Sequence, residues 1–152
     1  MTPKPIWTAL YLALTAMIST PAGAELIRKE SPYPFGETVA RFEAVIKDRG
    51  LNQFAKIDHA AGAKQAGQEL RPTVLIIFGS AAVGTPLMQA QQTMGLSLPL
   101  KALVWQDADG KVWLGYDLPA DIAKERGVAA DHPVISKITA ALNAMSDATT
   151  KR

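Results

Sequence analysis

Residues Thr73 to Phe78 read TVLIIF, an apolar run of strand length closed by Gly79. Its β-branched and aromatic content favours a strand over a helix. The run lacks the polar alternation of a half-solvated strand, so it is expected to be buried on both faces or to lie at the centre of a sheet. A strand of that kind needs neighbours, and the rest of the chain supplies them.

Lys101–Gln106 and Lys111–Asp117 read as two strands joined by Asp107-Ala108-Asp109-Gly110, a turn with glycine where positive φ costs little. Leu51 to Asp58 alternates imperfectly through Phe54 and Ile57, and Glu25 to Ser31 makes a fifth short strand. Between those two, Pro32, Pro34 and Gly36 break regular structure before Val39, Phe42, Val45 and Ile46 form one apolar stripe of a helix over Glu37–Arg49. Gly50 stops that helix. A second long helix starts at Asp131-His132-Pro133 and repeats Val134, Ile135, Ile138, Leu142 and Met145 at helical spacing. Shorter helical pieces are expected over Ala60–Gly67, over Pro86–Gln92 with Thr85 as N-cap, and over Pro119–Arg126. Successive strands without long crossovers favour antiparallel pairing. Two helices with one apolar stripe each would cover a single sheet face. The pattern predicts an α+β, two-layer domain with a mostly antiparallel five-stranded sheet and helices on one face.

The first residues have a different character. Lys4 precedes an apolar run from Ile6 to Ile18, and Pro21-Ala22-Gly23-Ala24 ends in a small-x-small pattern. That is the layout of a secretory signal peptide, 1–24, cleaved after Ala24, and the run is too short and too interrupted to favour a retained membrane anchor. The expected organisation is one domain over 25–147 and a frayed polar tail over 148–152. A periplasmic or secreted location follows. With no cysteine the domain must stand without disulfides, and its size allows that. Setting Lys4 aside, the basic residues fall from 16 to 15 against 14 acidic ones, with no run of like charge. Near-neutrality argues against nucleic acid or an anionic membrane surface as partner.

The candidate chemistry lies in Lys56 to Met88. His59 is one of two histidines; an imidazole there would serve as acid or base near neutral pH, or as a ligand to metal or haem iron with Met88 as a soft partner. Against this stand the ordinary roles, a strand-end histidine bonded to backbone and a gap-filling methionine. No HExxH spacing or cysteine set favours zinc. Gly79-Ser80-Ala81-Ala82-Val83-Gly84-Thr85 repeats the glycine spacing of a phosphate loop, but Thr85-Pro86 replaces its lysine and hydroxyl residue, so nucleotide hydrolysis is not expected. Glycine-flanked amides at a helix start would still suit a carboxylate or phosphate. The ligand set expected is therefore His59, Gly79, Ser80, Gly84, Thr85 and Met88, with no cofactor required and haem or a metal through His59 and Met88 as the alternative. Asp131 and Pro133 flank His132, which reads as a helix cap. Asp107 and Asp109 open like a calcium loop, yet an apolar strand follows at once, so a hairpin turn is expected. Trp105, Trp113 and Tyr116 lie on paired strands; on an uncovered sheet face they would form a patch for homodimerisation or a flat ligand. No Ser-His-Asp set assembles around Ser80, and the reading leans away from an enzyme. A binding or interaction module for a small ligand is the leading class, a haem or metal protein the second, and an enzyme with His59 as acid or base the third.

Ile57-Asp58-His59-Ala60-Ala61, Ala63 with Ala66-Gly67, Phe78-Gly79, Gly84-Thr85-Pro86-Leu87-Met88, Leu98-Pro99-Leu100 and the run DADGKVWLGY from Asp107 to Tyr116 occur in that order. Together, across about Ser31 to Gly127, they resemble the DUF302 family. The resemblance implies a TBP-like β-α-β(4)-α architecture. It implies no activity, since the family is named for having none assigned.

Overall fold

The apolar run becomes β3 (Thr73–Gly79), an interior strand of the sheet. The structure is a computed structural model and describes residues 23–152; the signal peptide expected over 1–24 lies almost wholly outside the described residues. In chain order the elements are β1 (Leu26–Ser31), α1 (Phe35–Asp48), β2 (Asn52–Asp58), α2 (His59–Gln65), β3, α3 (Ala81–Ala90), a 3-10 turn (Gln92–Leu96), β4 (Leu100–Gln106), β5 (Val112–Asp117), α4 (Pro119–Glu125) and α5 (Pro133–Thr150).

The sheet runs β1-β5-β4-β3-β2, and every neighbouring pair is antiparallel. This is the α+β, two-layer arrangement the patterning predicts. Along β3, Val74, Ile76 and Phe78 point into the core with Val104 of β4 and Leu114 of β5. The core helices α1 and α5 close that face: Phe42 meets Phe78 edge-on, ring centroids 5.3 Å apart, and Ile135, Ile138, Leu142 and Met145 bring the apolar stripe of α5 down beside it. The alternate residues Leu75, Ile77, Leu103 and Trp105 turn to the other face, where they stay half-buried outside the core. β3 is thus apolar on both sides although only one side is packed by helices.

Most element boundaries differ from expectation by one or two residues, and two differ by more. The tail over 148–152 is not frayed, because α5 continues to Thr150. Thr149 and Thr150 are buried and return their hydroxyl protons to the carbonyls of Met145 and Ser146, while Arg41 donates to the Thr149 carbonyl. Residues that look polar in sequence are consumed inside the helix and its packing. The helix expected from Pro86 instead begins at Ala81, and that shift reshapes the candidate site.

Candidate functional site

Ser80, extended at φ −139° and ψ 132°, turns the end of β3 directly into α3. The Ser80 carbonyl accepts from the amides of Val83 at 3.1 Å and Gly84 at 2.9 Å, so residues 81–85 form helical turns and not an open loop. Pro86 sits inside the helix and lacks only its own donor. The carbonyl it would have bonded belongs to Ala82, an exposed residue that water can reach. The glycine-bounded loop read as an anion cradle between Gly79 and Thr85 is therefore absent, and the helix starts at Ala81 with Ser80 in the N-cap position.

α3 reads AAVGTPLMQA, with little polar side chain on any face, yet Leu87 is its single buried residue. Helices of that composition are ordinarily enclosed. Here the helix stands off the sheet end and α5, and the space beneath it is a cavity of about 240 Å³. Gly79, Leu100, Val83, Gly84, Met88, Leu98 and Phe54 are among its lining, and Leu98 lies against Gly84, its Cδ1 3.4 Å from where a Cβ on that glycine would stand. Met88 is fixed between two glycines: a Cβ on Gly95 would lie 3.5 Å from its sulfur, and one on Gly84 would lie 4.0 Å from its methyl group. No charged side chain lines this cavity. A second cavity of about 390 Å³ lies on the other flank of α3 against α5. It shares Gly79, Ser80, Val83, Leu100 and Ile138 with the first and has one charged lining residue, Lys137.

The structure brings together Gly79, Ser80, Gly84 and Met88 of the six expected ligand-binding residues. Thr85 is exposed and lines neither cavity. His59 is elsewhere altogether. In the β2–β3 ladder Asn52 pairs with Gly79 and Asp58 with Val74, so the histidine that follows Asp58 lies at the opposite end of the sheet. Six strand residues separate the two ends by roughly 20 Å. His59 is the exposed first residue of α2, whose N-cap Asp58 accepts from the Ala61 amide at 2.9 Å. The shallow hollow nearby, between Asp58, Ala61, Lys64 and Arg71, does not include it among its lining. His59 and Met88 therefore do not form the pair considered for haem or metal, and among the described residues no group of three or more His, Asp or Glu side chains is placed to hold a metal ion. His132 caps α5, its Nδ1 accepting from the Val134 amide at 3.2 Å.

The aromatic residues divide between the faces. Tyr116 points into the core, whereas Trp105 and Trp113 stack on the outer face with ring centroids 6.4 Å apart and planes 20° apart. The Arg28 guanidinium lies 4.9 Å from the Trp113 ring centre. Sequence reasoning missed Phe54, Leu98, Leu100, Ile138 and Lys137 as cavity residues. Ile138 was legible only as part of a core stripe, and nothing in the order of residues marks Lys137 as facing α3.

Residues 27–148 match the family model described as a domain of unknown function, DUF302. A protein named fluoride-specific ion channel FluC 1, from Brucella suis biovar 1, is 45% identical over 116 residues, which cover 75% of this chain and 46% of that protein. One named FluC 2 from Brucella melitensis biotype 1 is likewise 45% identical over 116 residues, 75% of this chain and 43% of that protein. The chain spans less than half the length of these curated relatives. The crystal structure of an uncharacterized conserved DUF302 protein from Bacillus stearothermophilus superimposes with a TM-score of 0.75 at 18% identity, covering 82% of this chain and 97% of that one. At that identity the likeness speaks for the fold alone.

Proposed function

Because this chain belongs to the DUF302 family, for which no activity is assigned, we propose a function from its own cavity: it is a binding module that holds a small, largely apolar ligand beneath α3. The observation that carries this reading is an apolar helix left with one buried residue above a cavity of about 240 Å³. Protein interiors are close-packed, and a lined apolar gap of this kind is where a guest molecule gains most from leaving water. Four of the sequence candidates, Gly79, Ser80, Gly84 and Met88, contribute to the lining. Titration with a neutral fluorescent probe such as N-phenyl-1-naphthylamine tests it. Saturable enhancement, lost when Gly84→Leu fills the space, is expected; a folded protein that never enhances the probe ends the idea.

The proposal includes export, with removal of residues 1–24, carried by the sequence of that segment. Mass analysis of the protein recovered from the periplasm or medium should give an N-terminus at Glu25; recovery of the intact chain from the cytoplasm alone would refute it. We also propose that two copies stack through the outer face holding Leu75, Ile77 and Trp105. Sedimentation should then find a dimer that Leu75→Arg dissociates, and a monomer at all concentrations excludes it.

A second reading is favoured by the relatives that carry the fluoride-channel name. In it, the domain accompanies a membrane channel, and conduction resides in the part of those proteins that this chain does not match. Among the described residues no helix is long and apolar enough to cross a membrane. The cavity beneath α3 offers no cation to a bare anion, so fluoride itself should produce no heat in calorimetric titration. Measurable fluoride binding by this chain would overturn the placing of conduction wholly outside it.

A further inference from the structure

We infer that the ligand is a free single-chain amphiphile with one anionic head, of the medium-chain fatty-acid type, its head held by Lys137 and Ser80 and its tail lying beneath α3. This rests on the cavity reading above and adds the ligand class and the head-group residue. The two cavities share Gly79, Ser80, Val83, Leu100 and Ile138 in their linings. Both are lined almost wholly by apolar side chains, and the one that includes Lys137, at about 390 Å³, falls within the range of roughly 300–1,000 Å³ usual for small-molecule sites.

Charge fixes the head. Lys137 is the single charged side chain lining either cavity. The ion pairs among the described residues join Lys29 and Lys151 to Asp147, Lys56 to Glu43 and Lys111 to Glu30, leaving Lys137 without an acidic partner. Ser80 lines both cavities, and its hydroxyl makes no capping bond to α3. A carboxylate between them would accept one charge-assisted bond from the ammonium and one from the hydroxyl. A solvated surface lysine is the plain alternative, and it predicts no preference for an anionic head.

Displacement of N-phenyl-1-naphthylamine from the purified full-length chain by decanoate, decanol and decyltrimethylammonium tests the assignment. Decanoate should displace the probe about tenfold more tightly than decanol, with the cation weakest, as a charge-assisted contact implies. In Lys137→Gln the ratio of carboxylate to alcohol affinity should fall to about one, and Lys137→Arg should keep most of it. Equal displacement by decanoate and decanol in the parent chain, or a preference that survives Lys137→Gln, overturns the inference while leaving the cavity reading intact. No probe binding by a chain that melts cooperatively defeats the cavity reading itself. Loss of decanoate binding alongside Lys137-dependent sedimentation with phosphatidylglycerol vesicles would replace the free amphiphile with a lipid surface and overturn it too.

Discussion

The indole of Trp105 lies over Gly115 of the neighbouring strand: a Cβ on that glycine would stand 2.9 Å from the ring and 3.1 Å from the carbonyl oxygen of Ile27 on the far side. The ring is stacked on Trp113, and the β1 backbone is held by its ladder to β5. Gly115→Ala should therefore destabilise the fold by about 1–3 kcal/mol, the usual cost of forcing atoms into a filled site. A lower urea midpoint at unchanged slope, with altered tryptophan near-ultraviolet dichroism, is the expected result. An unaltered midpoint would mean that the ring and strand yield together.

Asp107 organises the β4–β5 turn with both carboxylate oxygens. Oδ2 accepts from the Trp113 indole N–H at 2.7 Å, and Oδ1 accepts from the amides of Asp109 and Lys111, each at 2.9 Å. The Trp113 bond, followed by those amide bonds and the nearby Lys111 charge, holds its carboxyl below the ordinary value of 3.8. A carboxyl that is more acidic in the folded state stabilises that state above the ordinary value and loses this contribution as pH falls through the folded value. Asp107→Asn should lower the melting temperature at pH 7, and the gap from the parent should narrow at pH 3 and below. A gap independent of pH would assign the loss to turn geometry and not to the charge.

Ser31 and Thr38 place a hydroxyl pair inside the junction of β1 and α1, their oxygens 2.7 Å apart and both residues buried. Thr38→Val removes one partner and leaves the Ser31 hydroxyl in a buried site, a loss of about 1–3 kcal/mol. Adding Ser31→Ala removes the hydroxyl left behind but also the acceptor of the Tyr33 amide at 3.3 Å, so the double variant should lose less than the sum of the two single ones without regaining the parent's stability. Denaturation of the single and double variants measures the coupling. Additive losses would mean that water reaches Ser31.

His59→Ala should change stability by no more than about 0.5 kcal/mol, since the side chain is exposed and far from the cavity. Probe binding should also be unchanged, whereas Gly84→Leu should abolish it with little cost to the melting temperature. If the histidine variant loses binding, the site lies at the other end of the sheet.

Much of this architecture was legible because single residues fix it. Gly110 adopts the positive φ, 80°, that its place after Asp107-Ala108-Asp109 predicts, and the hairpin follows. The stripes Val39–Ile46 and Ile135–Met145 found the two core helices because helical spacing and burial coincide there. The start of α3 was misread because Thr85-Pro86 makes a sound local helix signal, and tertiary support for two earlier apolar turns outweighs it. The site was legible in part. Gly79 to Met88 is contiguous in sequence, but Leu100, Lys137 and Ile138 reach it through pairing and packing that no local pattern encodes. His59 was drawn in by sequence proximity alone, and the length of β3 carries it away.

The pairing of β2 with β3 slips between Gln53 and Ala55, leaving Phe54 as the extra residue, 56% exposed, on the outermost strand. That slip supplies one wall of the cavity. It also leaves the outer hydrogen-bonding rim of β2 out of step midway, and a bulged, twisted rim is a poor template for an incoming strand. Lys56, two residues on and paired with Glu43, adds a charge where such a strand would dock. The sheet that carries an apolar strand at its heart is thereby protected on this side from growing, molecule by molecule, into a fibril.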